Sequence, residues 1–255
     1  MKIVTITNRK GGTAKTETAR ALAGGFILNG YKVLLIDLDA QRNLSLTMQA
    51  NTEAKGVYNL LMGDFEKVAE LIQKTPQGDI IAASELLYTV DKKIATPFIL
   101  KEKLKAVKGY DYIIIDTAPG FNALTAAAMV TADGLIIPTQ ADLYSLSALK
   151  EIREETESLK EYNKGLKIYG LCITRYANNR ISRDMKASLE AAAQLIGAKV
   201  YKTSIRECVA VKEAATTGKS IFDYAPKSNA AKDYTELVAE ILGDIAGQIT
   251  KGKIT

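Results

Sequence analysis

The residues best suited to chemistry lie near the start of the chain, where Lys10 and Lys15 bracket a glycine turn in Lys10-Gly-Gly-Thr-Ala-Lys-Thr16. An apolar, β-branched run, Lys2-Ile-Val-Thr-Ile-Thr7, precedes this stretch, and a helix-like run from Thr16 to about Leu28 follows it. Strand, glycine loop and helix start in that order form a phosphate cradle: loop N–H groups converge on the anion and the helix N-terminus adds partial positive charge. Lys15 can reach the terminal phosphates of a nucleotide, and the Thr16 hydroxyl can ligate Mg²⁺. Gly11, Gly12, Thr13, Ala14 and Glu17 complete the candidate loop. The match to the general nucleotide-loop pattern G-x-x-x-x-G-K-[ST] is incomplete, because Arg9 and Ala14 stand where its two glycines belong. The second lysine, Lys10, is unusual. Read alone, the stretch also fits a plain strand-to-helix turn with incidental lysines.

Two further apolar runs end in acids. Val33-Leu-Leu-Ile36 leads into Asp37-Leu-Asp-Ala-Gln-Arg-Asn43, and Tyr112-Ile-Ile-Ile115 leads into Asp116-Thr-Ala-Pro-Gly120. An acid closing a buried strand is the usual second half of a nucleotide loop, holding the Mg²⁺ that bridges the β- and γ-phosphates. Asp116 fits that role. Asp39 lies past the end of its strand, where it can orient or deprotonate an attacking water, and Asp37 is expected in a buried hydrogen-bond network near the loop. The catalytic candidates are Lys10, Lys15, Asp39 and Asp116, and the metal candidates are Thr16, Asp39 and Asp116. The bland alternative is that these aspartates only cap strands and open turns.

The elements that must position these groups are legible as alternating runs. The pattern predicts strands over Ile3–Thr7, Lys32–Asp37, Asp79–Ala82, Tyr112–Asp116, Gly134–Pro138, Ile168–Thr174 and Lys199–Thr203. It predicts helices over Ala14–Leu28, Phe65–Gln73, Leu124–Thr131, Ser145–Tyr162, Ser182–Ile196, Val209–Thr216 and Ala230–Ile245. Apolar strands without alternation are covered on both faces, as in a parallel sheet. The β-α-β-α order then gives an α/β fold: a doubly wound, mostly parallel sheet with helices on both faces, whose ligands bind at the carboxyl ends of the strands. With 255 residues, 47% hydrophobic and 25% charged, the chain is expected to form a single domain over 1–255. No run approaches the ~18 apolar residues of a membrane span. Met1 leads straight into the first strand, leaving no room for a signal peptide. Two distant cysteines, Cys172 and Cys208, and no histidine argue against zinc or iron–sulfur sites and for a reduced, cytoplasmic setting. A net charge of +5 permits an anionic partner without demanding one.

Taken together, the lysine loop, Asp37-Leu-Asp-Ala-Gln-Arg-Asn43 and Tyr110-Asp-Tyr-Ile-Ile-Ile-Asp-Thr-Ala-Pro-Gly120 resemble the ParA/Soj/MinD family of ATPases with a deviant phosphate loop. The resemblance continues through Ala132-Asp-Gly-Leu-Ile-Ile-Pro-Thr139 and Lys219-Ser-Ile-Phe-Asp-Tyr-Ala-Pro-Lys-Ser228, and so covers nearly the whole chain. It is closest to the small ParA type that lacks an N-terminal DNA-reading domain. The resemblance implies a P-loop NTPase-like fold, ATP with Mg²⁺, and a sandwich homodimer with two nucleotides between the subunits. Lys10 then matches the signature lysine that crosses to the partner's phosphates, where a cation supplied in trans can contribute ~10³-fold or more in rate. Lys15 and Thr16 match the phosphate and metal positions, Asp39 the water-positioning acid, and Asp116 the acid supporting the metal. Arg175 and Ile205 join the nucleotide-binding set. The resemblance also implies non-specific DNA binding by the ATP dimer, segregation of a plasmid or chromosome with a ParB-like partner, and association with the nucleoid.

Several residues depart from the family pattern. Glu17 stands where Thr or Ser is usual, and a carboxylate there is tolerable only if it points away from phosphate. Ala14 replaces a common glycine, Ala40 and Arg42 replace the usual Pro and Gly after the catalytic acid, and Thr203-Ser-Ile-Arg-Glu-Cys208 replaces a Pro-Arg-Asn segment in the base-binding region.

For DNA, the candidate set is Arg175, Arg180, Arg183 and Lys186, set against the single acid Asp184. Lys199, Lys202, Arg206, Lys212, Lys219 and Lys227 form a looser second set, and Lys101, Lys103, Lys105 and Lys108 read as a solvated helix face. A solvated charged face is the alternative for each. Tyr234, Leu237, Val238, Ile241, Leu242 and Ile245 form one helical stripe, backed by Asp233, Glu236, Glu240 and Asp244 and followed by Lys251-Gly-Lys-Ile-Thr255. The acids argue for core packing over membrane attachment. The rival functions are a MinD-like, membrane-associated regulator of positioning or cell division, and a nucleotide-binding protein with little hydrolysis.

Overall fold

The computed structural model describes residues 1–63, 67–90, 92–94 and 96–251, with side chains described as far as 247. Eight strands form one sheet: β1 (Lys2–Ile6), β2 (Val33–Leu38), β3 (Ile72–Thr75), β4 (Gly78–Ile81), β5 (Tyr112–Thr117), β6 (Gly134–Thr139), β7 (Lys167–Tyr176) and β8 (Val200–Arg206). The helices on its two faces are α1 (Lys15–Leu28), α2 (Asn43–Thr47), α3 (Val57–Met62), α4 (Leu87–Val90), α5 (Ile99–Leu104), α6 (Ala123–Thr131), α7 (Leu143–Leu159), α8 (Arg180–Leu195), α9 (Val209–Thr216), α10 (Ile221–Tyr224) and α11 (Asn229–Lys251). The spatial order is β3-β4-β2-β5-β1-β6-β7-β8, parallel throughout except for the β3–β4 hairpin.

The unalternating runs are explained by two cores. Leu35, Val33 and Ile114 point to the face packed by Ala19, Leu22 and Phe26 of α1 and by Tyr234, Leu237 and Val238 of α11. Their neighbours Leu34, Ile36, Ile113 and Ile115 point to the other face, against Leu60, Leu104, Leu124 and Ala127. Each such side chain contributes about 1.5–3 kcal/mol by leaving water, so both faces favour the same strand. The strand order reverses at β1, which pairs with β5 on one side and β6 on the other, and this opens the crevice at the carboxyl end of β1 where the phosphate loop lies.

The apolar stripe of α11 is spent in the core: Tyr234, Leu237, Val238, Ile241 and Ile245 are all buried. Its acidic side closes the sheet edge. Glu240 accepts backbone N–H bonds from Lys202 and Thr203 of β8 at 2.9 Å each, and Asp233 accepts from Arg206 N at 2.9 Å. The tail residues 252–255 lie outside the described residues.

The helix expected over Phe65–Gln73 is not formed. Residues 64–66 lie outside the described residues; Val68–Leu71 is a 3₁₀ turn, and Ile72 already belongs to β3. Val68 and Leu71 are buried at a three-residue spacing that suits either helix type. The turn at Pro76-Gln77-Gly78, with Gly78 at φ +125°, then returns the chain as an antiparallel hairpin. Ala14, expected inside the first helix, instead precedes it in the left-handed region.

Helix α1, which presents the loop, packs on α11 at Gly25. A Cβ on Gly25 would lie 2.4 Å from Val238 Cγ2. Gly25→Ala is therefore expected to cost about 1–3 kcal/mol despite its better helix propensity. Thermal denaturation would show this as a lowered melting temperature.

Candidate functional site

The loop between β1 and α1 is fixed by its own polar groups and by neighbouring strand ends. Asn8 Nδ2 donates to Pro138 O at 2.7 Å, and Asn8 Oδ1 accepts from Lys10 N at 2.9 Å. Gly120 N donates to Arg9 O at 3.0 Å, and the Thr174 hydroxyl donates to Thr13 O at 3.1 Å. The buried ammonium of Lys15 spans the loop, donating to Asn8 O at 3.1 Å and Lys10 O at 3.2 Å. Gly12 has φ +75° and Ala14 φ +63°. Only the first is free for that conformation; the alanine costs about 1–2 kcal/mol. The switch segment repeats the pattern, since Arg42 sits at φ +59°. Both are positions where the family pattern carries glycine.

The strand-end acids converge on Lys15. Asp37 and Asp116 are register partners on adjacent parallel strands, so their side chains lie on the same face. Asp37 is fully buried and accepts from Asp39 N at 3.0 Å, Ser45 N at 2.8 Å and Ser45 Oγ at 2.7 Å. Burial pushes its carboxyl up to about 6 even though those donors pull it down. This is the expected buried network. Asp116 is fully buried with no complete hydrogen bond to either oxygen. Burial, and next the charge of Asp37, hold it well above the usual carboxylate range, only partly relieved by the neighbouring Thr16 hydroxyl and Lys15. Burial lowers the Lys15 ammonium, while Asp116 and Asp39 oppose the shift. Asp39 is nearly buried, and its Oδ1 accepts from Gln41 N at 2.9 Å, starting the switch turn.

A carboxylate with two orphaned oxygens beside a threonine hydroxyl fits a divalent cation. Among the described residues no group of three or more acidic, histidine or cysteine side chains makes an all-protein cage. The donor set therefore suits Mg²⁺, which takes one or two protein ligands and fills its octahedron with phosphate and water. Thr16 borders a cavity of about 490 Å³ that runs from Gly11, Gly12 and Lys15, past Asp39, to Arg175, Ile205, Cys208 and Val211, while Asp116 lies buried behind it. That is the size of a small-molecule site. A larger cleft of about 650 Å³ opens among Lys160, Lys167, Lys199 and Asp244, at the amino ends of β7 and β8, and contains none of these acids.

Glu17 is paired with Arg20. Both its oxygens accept from Arg20 Nη2 at 2.9 Å, and Arg20 is anchored to Lys219 O at 2.9 Å and Gln77 Oε1 at 3.3 Å. Burial raises its carboxyl, and Arg20 opposes the shift. Lys10 is held within its own subunit, 2.6 Å from Asp142 Oδ2 and 5.5 Å from the centre of the Tyr144 ring. Burial pushes Asp142 up, but Lys10 and Ser145 outweigh it and the net shift is downward. Arg42 reaches Glu85 at 2.6 Å, and Gln41 Nε2 bonds the Tyr88 hydroxyl. Asp142, Tyr144, Glu85 and Tyr88 were not among the sequence candidates. Asp142 had a signal, the Asp-x-x-Ser145 cap that opens α7, where Ser145 N donates to it at 2.9 Å.

The DNA candidates do not form one free patch. Arg175, at φ +50°, borders the cavity. Lys186 is tied to Lys202 O at 2.9 Å and Ser204 Oγ at 3.1 Å. Arg180 and Arg183 project from the first turn of α8, near Asp184 at 3.8 Å and Asn178 at 3.2 Å respectively.

A phosphate loop at the strand-order reversal, with paired strand-end acids, defines a P-loop nucleotide-binding protein. An AAA domain family model matches residues 1–168. The chromosome-partitioning ATPase Soj of Thermus thermophilus is 31% identical over 95% of this chain and 96% of its own length. The chromosome partitioning protein ParA of Caulobacter vibrioides is 30% identical over 95% and 94%. The septum site-determining protein MinD of Pyrococcus horikoshii, solved with Mg-ADP, is 28% identical with a TM-score of 0.77, covering 94% of this chain and 95% of its own. The chain belongs to the ParA/Soj/MinD family of ATPases.

The buried acid pair sets a pH dependence. Asp37 and Asp116 keep protons in the folded state at pH values where the unfolded chain has lost them, so stability falls as pH rises, through about 6 for Asp37 and above the usual carboxylate range for Asp116. Asp116→Asn removes one charge of the pair. Without nucleotide or Mg²⁺ it is expected to melt above the wild type at pH 8 and close to it near pH 4.5. Thermal scans at the two pH values test this.

Proposed function

We propose that this chain is a ParA-type switch that hydrolyses ATP to ADP and phosphate. In this reading it dimerises with ATP, binds DNA without sequence preference, and drives plasmid or chromosome segregation with a ParB-like partner in the nucleoid-containing cytoplasm. The observation that carries the reading is the position of Lys10. It stands at the outer edge of the cradle, its ammonium held within the subunit by part-exposed Asp142 and lying over the Tyr144 ring. Around it, the carboxyl-end face exposes Leu46, Leu86, Tyr88, Leu143, Tyr144 and Ile181, each more than half accessible. Apolar side chains gathered at the mouth of a ligand site suit a protein contact, and a second copy would bring its own Lys10 to the opposing phosphates.

ATP with Mg²⁺ is the ligand. The Thr16 hydroxyl and, directly or through water, Asp116 would hold Mg²⁺, which would supply positive charge to the phosphates. Lys15 exchanges its loop carbonyls for phosphate oxygens. Asp39 accepts a hydrogen bond from water aligned on the γ-phosphate. Lys10 of the partner adds positive charge as the bond breaks. The paired Arg180 and Arg183, rather than the whole sequence-derived set, supply the exposed cations on α8 for the DNA backbone. Attachment to membrane through α11 would require unpacking its buried stripe, and no helix among the described residues is long and apolar enough to cross a membrane.

Wild type is expected to bind random duplex DNA with ATP but not with ADP, and to release it as salt rises. Lys15→Ala loses that binding, whereas Asp39→Ala keeps ATP and DNA binding but loses turnover. Retained DNA binding by Lys15→Ala would exclude the switch. Asp142→Asn keeps the α7 cap while releasing Lys10, and is expected to raise the ATP-bound dimer fraction at fixed protein concentration, read by light scattering after size-exclusion chromatography.

A further inference from the structure

The cavity has two chemically distinct ends. At one lie the loop residues Gly11 and Gly12, Lys15, Thr16 and Asp39, which suit phosphates and their metal. At the other, Ile205, Val211, Ala215 and Tyr234 offer apolar surface for a flat base. Arg206, which borders that end, is committed to Asp233, with Nε 3.0 Å from Oδ2 and Nη2 2.5 Å from Oδ1. Glu17, on the first turn of α1, is among the residues that line this cavity.

Glu17 is rigidly placed. Its two oxygens share one donor, Arg20 Nη2, and Arg20 is itself pinned by Lys219 O and Gln77 Oε1, so the carboxylate does not swing freely. A carboxylate offers about four lone-pair positions, and Arg20 takes two. Phosphate oxygens would be repelled by the remainder. The neutral donors of a nucleotide at that point are the sugar hydroxyls.

We propose that Glu17 reads the ribose, accepting a hydrogen bond from the 2′- or 3′-hydroxyl and selecting ribonucleotides over deoxyribonucleotides. The proposal rests on the nucleotide reading above. It gives a residue that departs from the family pattern a ligand of its own, in place of a lost hydroxyl contact to phosphate. Hydrogen bonds to a buried charged group correspond to about 10–100-fold in affinity.

The test is titration calorimetry of the full chain with Mg²⁺ and ATP, 2′-deoxy-ATP or 3′-deoxy-ATP. Wild type should bind ATP about 10–100-fold tighter than one of the deoxy analogues. Glu17→Gln, which keeps an acceptor for Arg20, should narrow the gap, and Glu17→Ala should abolish it by weakening ATP while leaving the deoxy analogue unchanged. Melting curves confirm that each variant is folded. If Glu17 only neutralises Arg20, all three nucleotides weaken together, and that result overturns the proposal. Equal binding of the three by wild type, or a gap undiminished in Glu17→Gln and Glu17→Ala, also overturns it. Failure of wild type to bind any of them removes the nucleotide reading as well.

Discussion

Everything at this site depends on carboxylates placed where water cannot reach them. Parallel pairing of β2 with β5 sets Asp37 directly beside Asp116, and the packed cores on both faces exclude solvent from the pair. Two such charges side by side are unfavourable unless balanced, and the fold supplies only part of the balance: Ser45 and the Asp39 N–H serve Asp37, and Lys15 acts on Asp116. Asp116 keeps the deficit. A site built in deficit binds a cation and a polyanion together more readily than either alone, because each relieves the charge the other brings.

The remainder of the molecule holds that imbalance in place. Helix α1 carries Lys15 and Thr16 at one end and packs on α11 through Gly25 further along, so core packing fixes how far the ammonium stands from the acids. The loop and switch turns add local strain at Ala14 and Arg42. Strained, non-glycine left-handed residues persist only where surrounding contacts over-determine them. Here these contacts are the hydrogen bonds of Asn8, Thr174 and Gly120 around the loop and the Arg42–Glu85 pair beside the switch.

Much of this was legible in the chain because it depends on periodicity and on chemistry at strand ends. Val33–Ile36 and Tyr112–Ile115 lack alternation since both faces are buried, and the acids after them fall where any parallel sheet places ligand groups. What escaped was non-local or short. The Val68–Leu71 turn and β3 share apolar spacing with a helix, and the sheet decides between them. The partners of Lys10 and Glu17 were unreadable for different reasons. Asp142 is 132 residues from Lys10. Arg20 is only one turn from Glu17, but its role depends on anchors at Lys219 and Gln77 that the fold brings in. The basic set Arg175–Lys186 looked continuous in sequence, but strand, turn and helix disperse it over different surroundings.

The closing of β8 by α11 bears on how copies of this chain can meet. An edge strand ordinarily offers free N–H groups as a template for another strand. Here Glu240 and Asp233 already occupy those of Lys202, Thr203 and Arg206, while the opposite edge is a four-residue hairpin strand carrying an exposed Lys74. Growth by sheet extension is thus blocked at both margins. Copies of this chain that meet must therefore do so through faces other than the sheet margins, without forming continuous β-structure.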